Sequence, residues 1–450
     1  MALVAIIPIY LACGYNRHMT RSEFLAVLAA APFARGASMR VDADRLRRRL
    51  EELSIHGRPS GGTFSDGVSR VAFSDADVAG RALVMRWMRE PALDPRIDAA
   101  GNIFGRRAGS DPNVEPVLFG SHIDSVPNGG NFDGDLGVLS SIEAIEQLNA
   151  ARITTRRPLE VVVWTNEEGV AFNNGLFGSR AAAGLLAEGE IEHEWNGTKQ
   201  RDALRKIGGD PDRIASARRA PGSFKAYVEL HIEQGGNLDR EAIPIGVVEG
   251  IVAIDRYDVE IRGFANHAGT TPMPDRRDAL LAASMLTVAV NQIVRRDPGR
   301  QVGTVGHIEV TPNAPNVIPG VARVTVELRD LSGEKIAKLG REIRERAKAI
   351  ATETKTTIEL RPASHHESAL ADSKVQSAIE EASARLGLKT KRLPSGAGHD
   401  AQSMAHLGPM GMIFVPSVAG ISHSPQELTR WPDCAKGAAV LLETVSLLAI

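Results

Sequence analysis

The feature that most restricts the fold is a block between Ile251 and Ala363 that reads strand, helix, strand, strand, helix, strand. Its segments are IVAIDRYDVEIRG, DALLAASMLTVAVNQIV, QVGTVGHIEVT, VARVTVELRD, GEKIAKLGREIRERAKAIATE and KTTIELRPA. The strand candidates alternate apolar and polar residues, and the helix candidates place apolar residues three and four apart. This order is the split β-α-β pattern of ferredoxin-like folds, and roughly 110 residues suffice for such a unit to form its own domain.

The block interrupts a different style of chain. Ahead of it, Leu46, Leu50 and Leu53 mark an amphipathic helix capped by Asp42 or Asp44, and a second helix starts at Ser74. Extended segments from Ile97 to Arg106 and Val117 to Ser121, a helix from Asp135 to Asn149 and a strand from Leu159 to Thr165 follow. Behind the block, a helix from Lys374 to Leu386, the loop SGAGHDAQSM and the strand MGMIFVP resume the alternation. The expected fold class is therefore α/β with two domains: one from residues 39–246 plus 363–450, and an inserted ferredoxin-like one at 247–362. Gly235, Gly236 and the segment near Pro362 are candidate hinges.

Charge and cysteine content exclude some functions. A formal net charge of -2 without a long basic run gives no electrostatic basis for nucleic-acid binding, so the expected partner is a small molecule. Cys13 and Cys434 are the only cysteines, which leaves no disulfide framework and no cysteine-based zinc site. The first 38 residues stand apart, with an apolar stretch too short to span a membrane. Read from Met19, this leader resembles a twin-arginine export signal with Ser22 in place of the second Arg; the other reading is an over-long start before Met39.

Chemistry concentrates in three places. In VLFGSHIDSVPNGGNFDGDLG, a buried strand would end on His122, with Asp124 two residues on and facing the same side, placed to accept the imidazole's second N–H. Asp133 follows just before a helix whose N-terminal dipole points at the same spot, so the stretch reads as a partial metal site. In LEVVVWTNEEGVAF, Glu167 and Glu168 cap four apolar β-formers, and such a pair repels itself unless a cation lies nearby. One Glu can then ligate while the other faces water; a solvated acidic loop is the competing reading. In AYVELHIEQGG, Tyr227, Glu229, His231 and Glu233 share a face, where a His is more often a structural residue than a ligand, and His423 lies in a Ser- and Pro-containing loop after a strand.

The motifs GSHIDSVPNGGNFDGDLGV, TNEEGVAF, LHIEQGG, FANHAGTTPM, PNVIPG, SGAGHDA and SHSPQE occur in one order. In that order they resemble the amidohydrolases that cleave N-carbamoyl amino acids, β-ureidopropionate and allantoate, within the zinc-dependent aminoacylase and carboxypeptidase superfamily. The resemblance implies five metal ligands, His122, Asp133, Glu168, His231 and His423, with Asp133 bridging two divalent ions. One ion would be completed by His122 and His231, the other by Glu168 and His423. Histidine and carboxylate donors suit Zn²⁺ and also admit Mn²⁺, Co²⁺ or Ni²⁺. Glu167 matches the general base, and Gln234, His267, Asn316 and Arg329 match positions that hold the ureido group and the substrate carboxylate. His267 resembles a residue that reaches the neighbouring subunit's site, which implies a homodimer joined through the inserted domains. His399 is expected to organise its loop and to stay outside the site. The implied activity is hydrolysis of a carbamoyl C–N bond in a ureido acid; an allantoate amidohydrolase, an N-acyl-amino-acid hydrolase or dipeptidase, and a metal-free binding protein are the alternatives. The resemblance implies a cytoplasmic enzyme, while the export-like leader keeps periplasmic placement open.

Overall fold

The computed structural model describes residues 40–450, so the expected leader and its alternative start at Met19 lie outside the described residues. From Arg40 the chain forms α1 (Ala43–Leu53), α2 (Asp75–Arg89), β1 (Arg96–Ile97), β2 (Ile103–Arg107), β3 (Val117–His122), α3 (Asp135–Ala150) and β4 (Leu159–Trp164). Asp42 and Ser74 cap the first two helices, accepting from the N–H groups of Arg45 and Asp77 as short polar side chains do at N-caps. An irregular excursion carries α4 (Phe177–Ala183), the hairpin β5 (Glu194–Trp195) and β6 (Thr198–Lys199), and α5 (Gln200–Lys206). Then come β7 (Ala226–Ile232), α6 (Asn237–Glu241) and β8 (Ile245–Ile251).

The next segment matches the order read from the sequence: β9 (Ala253–Arg262), β10 (Asn266–His267), α7 (Ala279–Arg296), β11 (Val302–Thr311), β12 (Val317–Ile318), β13 (Val321–Asp330), α8 (Gly333–Thr354) and β14 (Thr357–His366). The chain closes with β15 (Ala369–Leu370), α9 (Ser373–Arg385), β16 (Thr390–Ser395), α10 (Asp400–Met404), β17 (Met410–Val415) and α11 (Trp431–Leu448).

Two sheets organise these elements. The larger is a mixed, nine-stranded sheet in the order β1-β2-β4-β3-β7-β17-β8-β15, with β16 pairing β8. β3, β4, β7 and β17 are buried along their whole length, because helices cover both faces, and this is why they read as continuous apolar runs. On one face α1, α3, α9 and α11 pack against each other, and on the other Trp164, Phe224, Tyr227, Met404 and Phe414 share a core with α4 and α10. The smaller sheet has the antiparallel order β11-β13-β9-β14 and packs Val259, Ile261, Val324 and Val326 against Leu286 and Val290 of α7 and Ile343 of α8. Among the described residues no helix is long and apolar enough to cross a membrane.

Both crossing points between the sheets differ from the expected ones. β8 continues past residue 246 to Ile251 within the larger sheet, and only Val252 separates it from β9 of the smaller one. β14 likewise runs through Pro362 to His366, with a register shift between Pro362 and Ser364. Proline is tolerated there because β14 is an edge strand, whose outward side needs no donor. Gly235 and Gly236 are therefore not at the first crossing, and the second lies a few residues beyond Pro362, between His366 and Ala369.

Candidate metal centre

The parallel strands β3, β4, β7 and β17 lie side by side and release their C-terminal ends toward one place, where open α/β sheets put their sites. His122 is the last residue of β3, His231 stands near the end of β7, Glu167 and Glu168 follow β4, and His423 follows β17. Asp133 enters from the loop ahead of α3. Its two carboxylate oxygens face different groups. Asp133 Oδ1 lies 3.1 Å from His231 Nε2 and 3.5 Å from His122 Nε2, whereas Oδ2 lies 3.5 Å from His423 Nε2. Glu168 Oε2 is 3.4 Å from the same His423 nitrogen, and Glu167 Oε2 is 3.7 Å from His122 Nε2. Gln234 joins the cluster by donating from Nε2 to Asp133 Oδ2 at 2.7 Å.

Local backbone geometry is unusual around these side chains. Asn166, Gln234 and His423 all have positive φ, at 53°, 56° and 53°. For a non-glycine residue this conformation costs about 1–2 kcal/mol, and it persists only where the surroundings hold it. Asn166 shows how: its Nδ2 donates to Ala171 O and Asn174 Oδ1, which fixes the turn that presents Glu167. Gly134, at φ 67°, leaves no room for a side chain, since a Cβ there would fall 2.5 Å from the His122 ring.

One expected contact is corrected. The carboxylate of Asp124 does not receive the His122 N–H: Nδ1 of His122 lies 3.0 Å from the Asp124 main-chain carbonyl and 3.8 Å from its Oδ1. β3 ends at His122, so the two-residue alternation of an extended chain no longer applies at Asp124. The carboxylate instead accepts the backbone N–H groups of Glu167 (3.1 Å) and Glu168 (3.2 Å) and pins the loop that carries both acids. Asp124→Ala is expected to leave two donors without an acceptor and to cost about 1–3 kcal/mol. Thermal unfolding of the metal-free protein measures it, and an unchanged midpoint would contradict the assignment.

His267, Asn316 and Arg329 stand apart from the cluster. His267 and Asn316 are exposed neighbours on the β10–β12 pair, where Ala268 N donates to Asn316 O. His267 Nδ1 accepts from Gly269 N and Thr270 N, which leaves the outward Nε2 to carry the proton. Arg329 already has partners: its Nε donates to Glu327 Oε1 at 2.7 Å, and its Nη1 to the carbonyl of Gly396. His399, expected outside the site, is buried with Nε2 at 2.8 Å from Ser395 Oγ and its ring 4.5 Å from that of His231, and its ligand atom lies within 4.8 Å of those of Glu229 and His231.

Burial and the crowding of carboxylates set the electrostatics of the cluster. Burial, with the nearby Asp400 and Glu168 carboxylates adding to it, pushes Glu167 well above the usual carboxylate range despite His122. Burial and the Asp133 charge push Glu168 up to about 8. Against its own burial, Asp133 is held well below its ordinary value by His231, His122 and His423. The hydrogen bond to Asp133 carries His423 up to about 9. A fit to divalent cations follows from the donors themselves. His122 Nε2 and His231 Nε2 are buried and make no hydrogen bond, while their Nδ1 atoms are each fixed at 3.0 Å on a main-chain carbonyl. That tautomer aims two lone pairs inward, as metal-binding histidines require. The ligand atoms of His122, Asp133 and His231 lie within 4.8 Å of one another, as do those of Asp133, Glu168 and His423.

Sequence reasoning passed over several supporting residues. Arg70 is fully buried and donates from Nε to Ile123 O at 2.6 Å and from Nη2 to Asp135, so it ties both flanks of the His122–Asp133 loop to the body of the protein. Glu229 accepts from Ser121 Oγ, Tyr227 OH and Ala401 N beneath the site. Glu427 was visible only as the last letter of SHSPQE.

The chain is similar to known proteins over most of its length. The profile of Peptidase family M20/M25/M40 matches residues 118–447. An N-carbamoyl-L-amino acid amidohydrolase of Geobacillus stearothermophilus is 42% identical over 411 residues, covering 91% of this chain and 99% of that protein. A ureidoglycolate hydrolase of Arabidopsis thaliana is 38% identical over 427 residues, covering 92% and 88%. The crystal structure of a Burkholderia multivorans amidase of the hydantoinase/carbamoylase family superposes with a TM-score of 0.84 at 37% identity, covering 92% of this chain and 99% of that one. The chain belongs to peptidase family M20/M25/M40, among the amidohydrolases of the hydantoinase/carbamoylase type.

Proposed function

We propose that this enzyme hydrolyses the carbamoyl C–N bond of an N-carbamoyl amino acid, yielding the amino acid, carbon dioxide and ammonia. The observation that carries the reading is the placement of Asp133, whose two oxygens face two separate donor groups with the Glu167 carboxylate beside one of them. His122, His231 and Asp133 would hold one divalent ion, and Asp133, Glu168 and His423 a second. Zn²⁺ suits these donors best, with Mn²⁺, Co²⁺ or Ni²⁺ as substitutes. When bound, the ions acidify a water and polarise the ureido carbonyl.

The chain's own groups supply the rest. Glu167, held by Asp124 through its backbone, takes a proton from the attacking water and returns one to the leaving amine. The carbamic acid released then loses carbon dioxide and leaves ammonia. Gln234 Oε1 is buried without a partner and would accept from the ureido nitrogen. Arg329 is the proposed carboxylate clamp, exchanging Glu327 for substrate, and Asn316 supports the same ligand.

His267 cannot be assigned within its own chain's cluster, so we assign it to the oxyanion of a partner's site in a homodimer. The smaller sheet supports that assembly: edge strand β11 exposes Val302 and Ile308, and α7 exposes Leu281 and Val288. The smaller sheet and its helices would then act as an inserted domain, crossing at Val252 and at residues 367–368, and would move as a lid.

The ureidoglycolate hydrolase relative favours a second reading in which the ureido acid is ureidoglycolate or allantoate. A turnover panel decides between them: N-carbamoyl-L-amino acids, N-carbamoyl-β-alanine, allantoate and ureidoglycolate, beside N-acyl amino acids and dipeptides, with ammonia detection after loading with Zn²⁺, Mn²⁺ or Co²⁺. The N-carbamoyl-L-amino acids are expected to be turned over best. Activity confined to acyl amino acids or dipeptides would overturn the carbamoyl assignment.

A further inference from the structure

His423 is the weakest-anchored member of the cluster by position. It is half exposed, sits on a loop at positive φ, and belongs to no strand, in contrast to His122 and His231 on the buried strands β3 and β7. Its neighbourhood nevertheless contains one heavily used, buried carboxylate. Glu427 Oε1 accepts the backbone N–H groups of Phe132 (3.0 Å) and Asp133 (3.1 Å), and its Oε2 accepts from Ser422 Oγ at 2.8 Å. Ser422 Oγ also lies 3.0 Å from Asp133 Oδ2. Gly130 makes room for this arrangement, since a Cβ there would fall 2.1 Å from Glu427 Oε1.

Resting on the metal reading above, we infer that Glu427 is the positioning residue that keys the Ser422–His423 loop to the Phe132–Asp133 backbone and thereby builds the second of the two metal positions. Segments separated by 294 residues in sequence meet on one side chain. The first position does not depend on it to the same degree, because β3 and β7 pair directly and carry His122 and His231 on paired strands. The three acceptances supply the partners that a buried carboxylate next to Asp133 needs. An amide in its place keeps the shared acceptor oxygen and offers an N–H₂ to Ser422 Oγ, so Gln should retain the key while Ala removes it.

The test counts and titrates metal on the full chain without measuring turnover. Metal-free parent, Glu427→Ala and Glu427→Gln are each titrated with Zn²⁺ against a chromophoric chelator, and thermal unfolding of the metal-free proteins is recorded. The parent is expected to take up two ions. Glu427→Ala should weaken the first only modestly, through the shared Asp133, and bind the second about 10- to 100-fold more weakly, the usual cost of losing a side chain behind a ligand. Glu427→Gln should restore most of that loss. Equal weakening of both ions, two ions bound as in the parent, or a Gln variant no better than Ala would each overturn the assignment. A parent that binds no divalent ion would instead refute the metal reading on which it rests.

Discussion

Glu167→Gln is expected to bind both divalent ions as the parent does and to lose about 10²- to 10⁴-fold in kcat, the span that a positioned general acid–base contributes. The substitution is close to isosteric, and the loop bearing residue 167 is held by Asp124 through backbone N–H groups that the change leaves in place. The Glu167 side chain lies 3.7 Å from His122 Nε2 and is not among the groups whose ligand atoms converge, so metal should stay. An amide cannot take the proton of the attacking water or return it to the leaving amine. Single-turnover assays beside metal analysis read the two effects apart. Parental kcat at full occupancy would remove Glu167 from the mechanism; loss of metal together with activity would make it a ligand.

A mixture of two inactive variants is expected to regain turnover. His267→Ala should lose about 10²- to 10³-fold in kcat, as removal of an oxyanion donor does, and Glu167→Gln is impaired for the reason just given. In a heterodimer of the two, the site containing the intact Glu167 receives His267 from the other chain, and one of the two sites is whole. His267 is exposed, its Nδ1 is occupied by Gly269 and Thr270, and it makes no contact with the cluster of its own chain, all of which fit a donor that works outward. Verified heterodimers without recovered activity would place His267 in its own subunit's site or outside the chemistry.

The elements that could be read from the sequence were those whose side chains repeat with a clear period. The helices α7 and α8 and the strands β9, β11, β13 and β14 fall where alternation and three-four spacing put them, because one face of each is packed and the other is wet. The first crossing escaped because β8 and β9 abut with a single residue between them, and the second because β14 continues past Pro362 to His366. The excursion from residue 177 to 217 gave no period at all, since its helices span seven residues at most. At the site, residue type and motif located His122, Asp133, Glu168, His231 and His423, and the fold gathers all five. What motif could not give was the role of Asp124, which depends on the extended chain ending at His122 and not continuing to residue 124, or of Glu427, whose backbone partners Phe132 and Asp133 lie almost three hundred residues away.

The position of β17 in the larger sheet has a consequence for the order in which this enzyme is made. Residues 410–415 follow every other strand of the larger sheet in chain order, yet they insert between β7 and β8, near the middle of that sheet. Until then β7, with His231 on it, has an unpaired edge, and the sheet exists as two parts. Pairings of such long sequence separation form slowly and leave apolar strands exposed in the meantime. His423 arrives later still, so the ligand set is filled only after the last strand of the larger sheet is available, and hydrolytic competence waits on the same step that joins the two parts of the sheet.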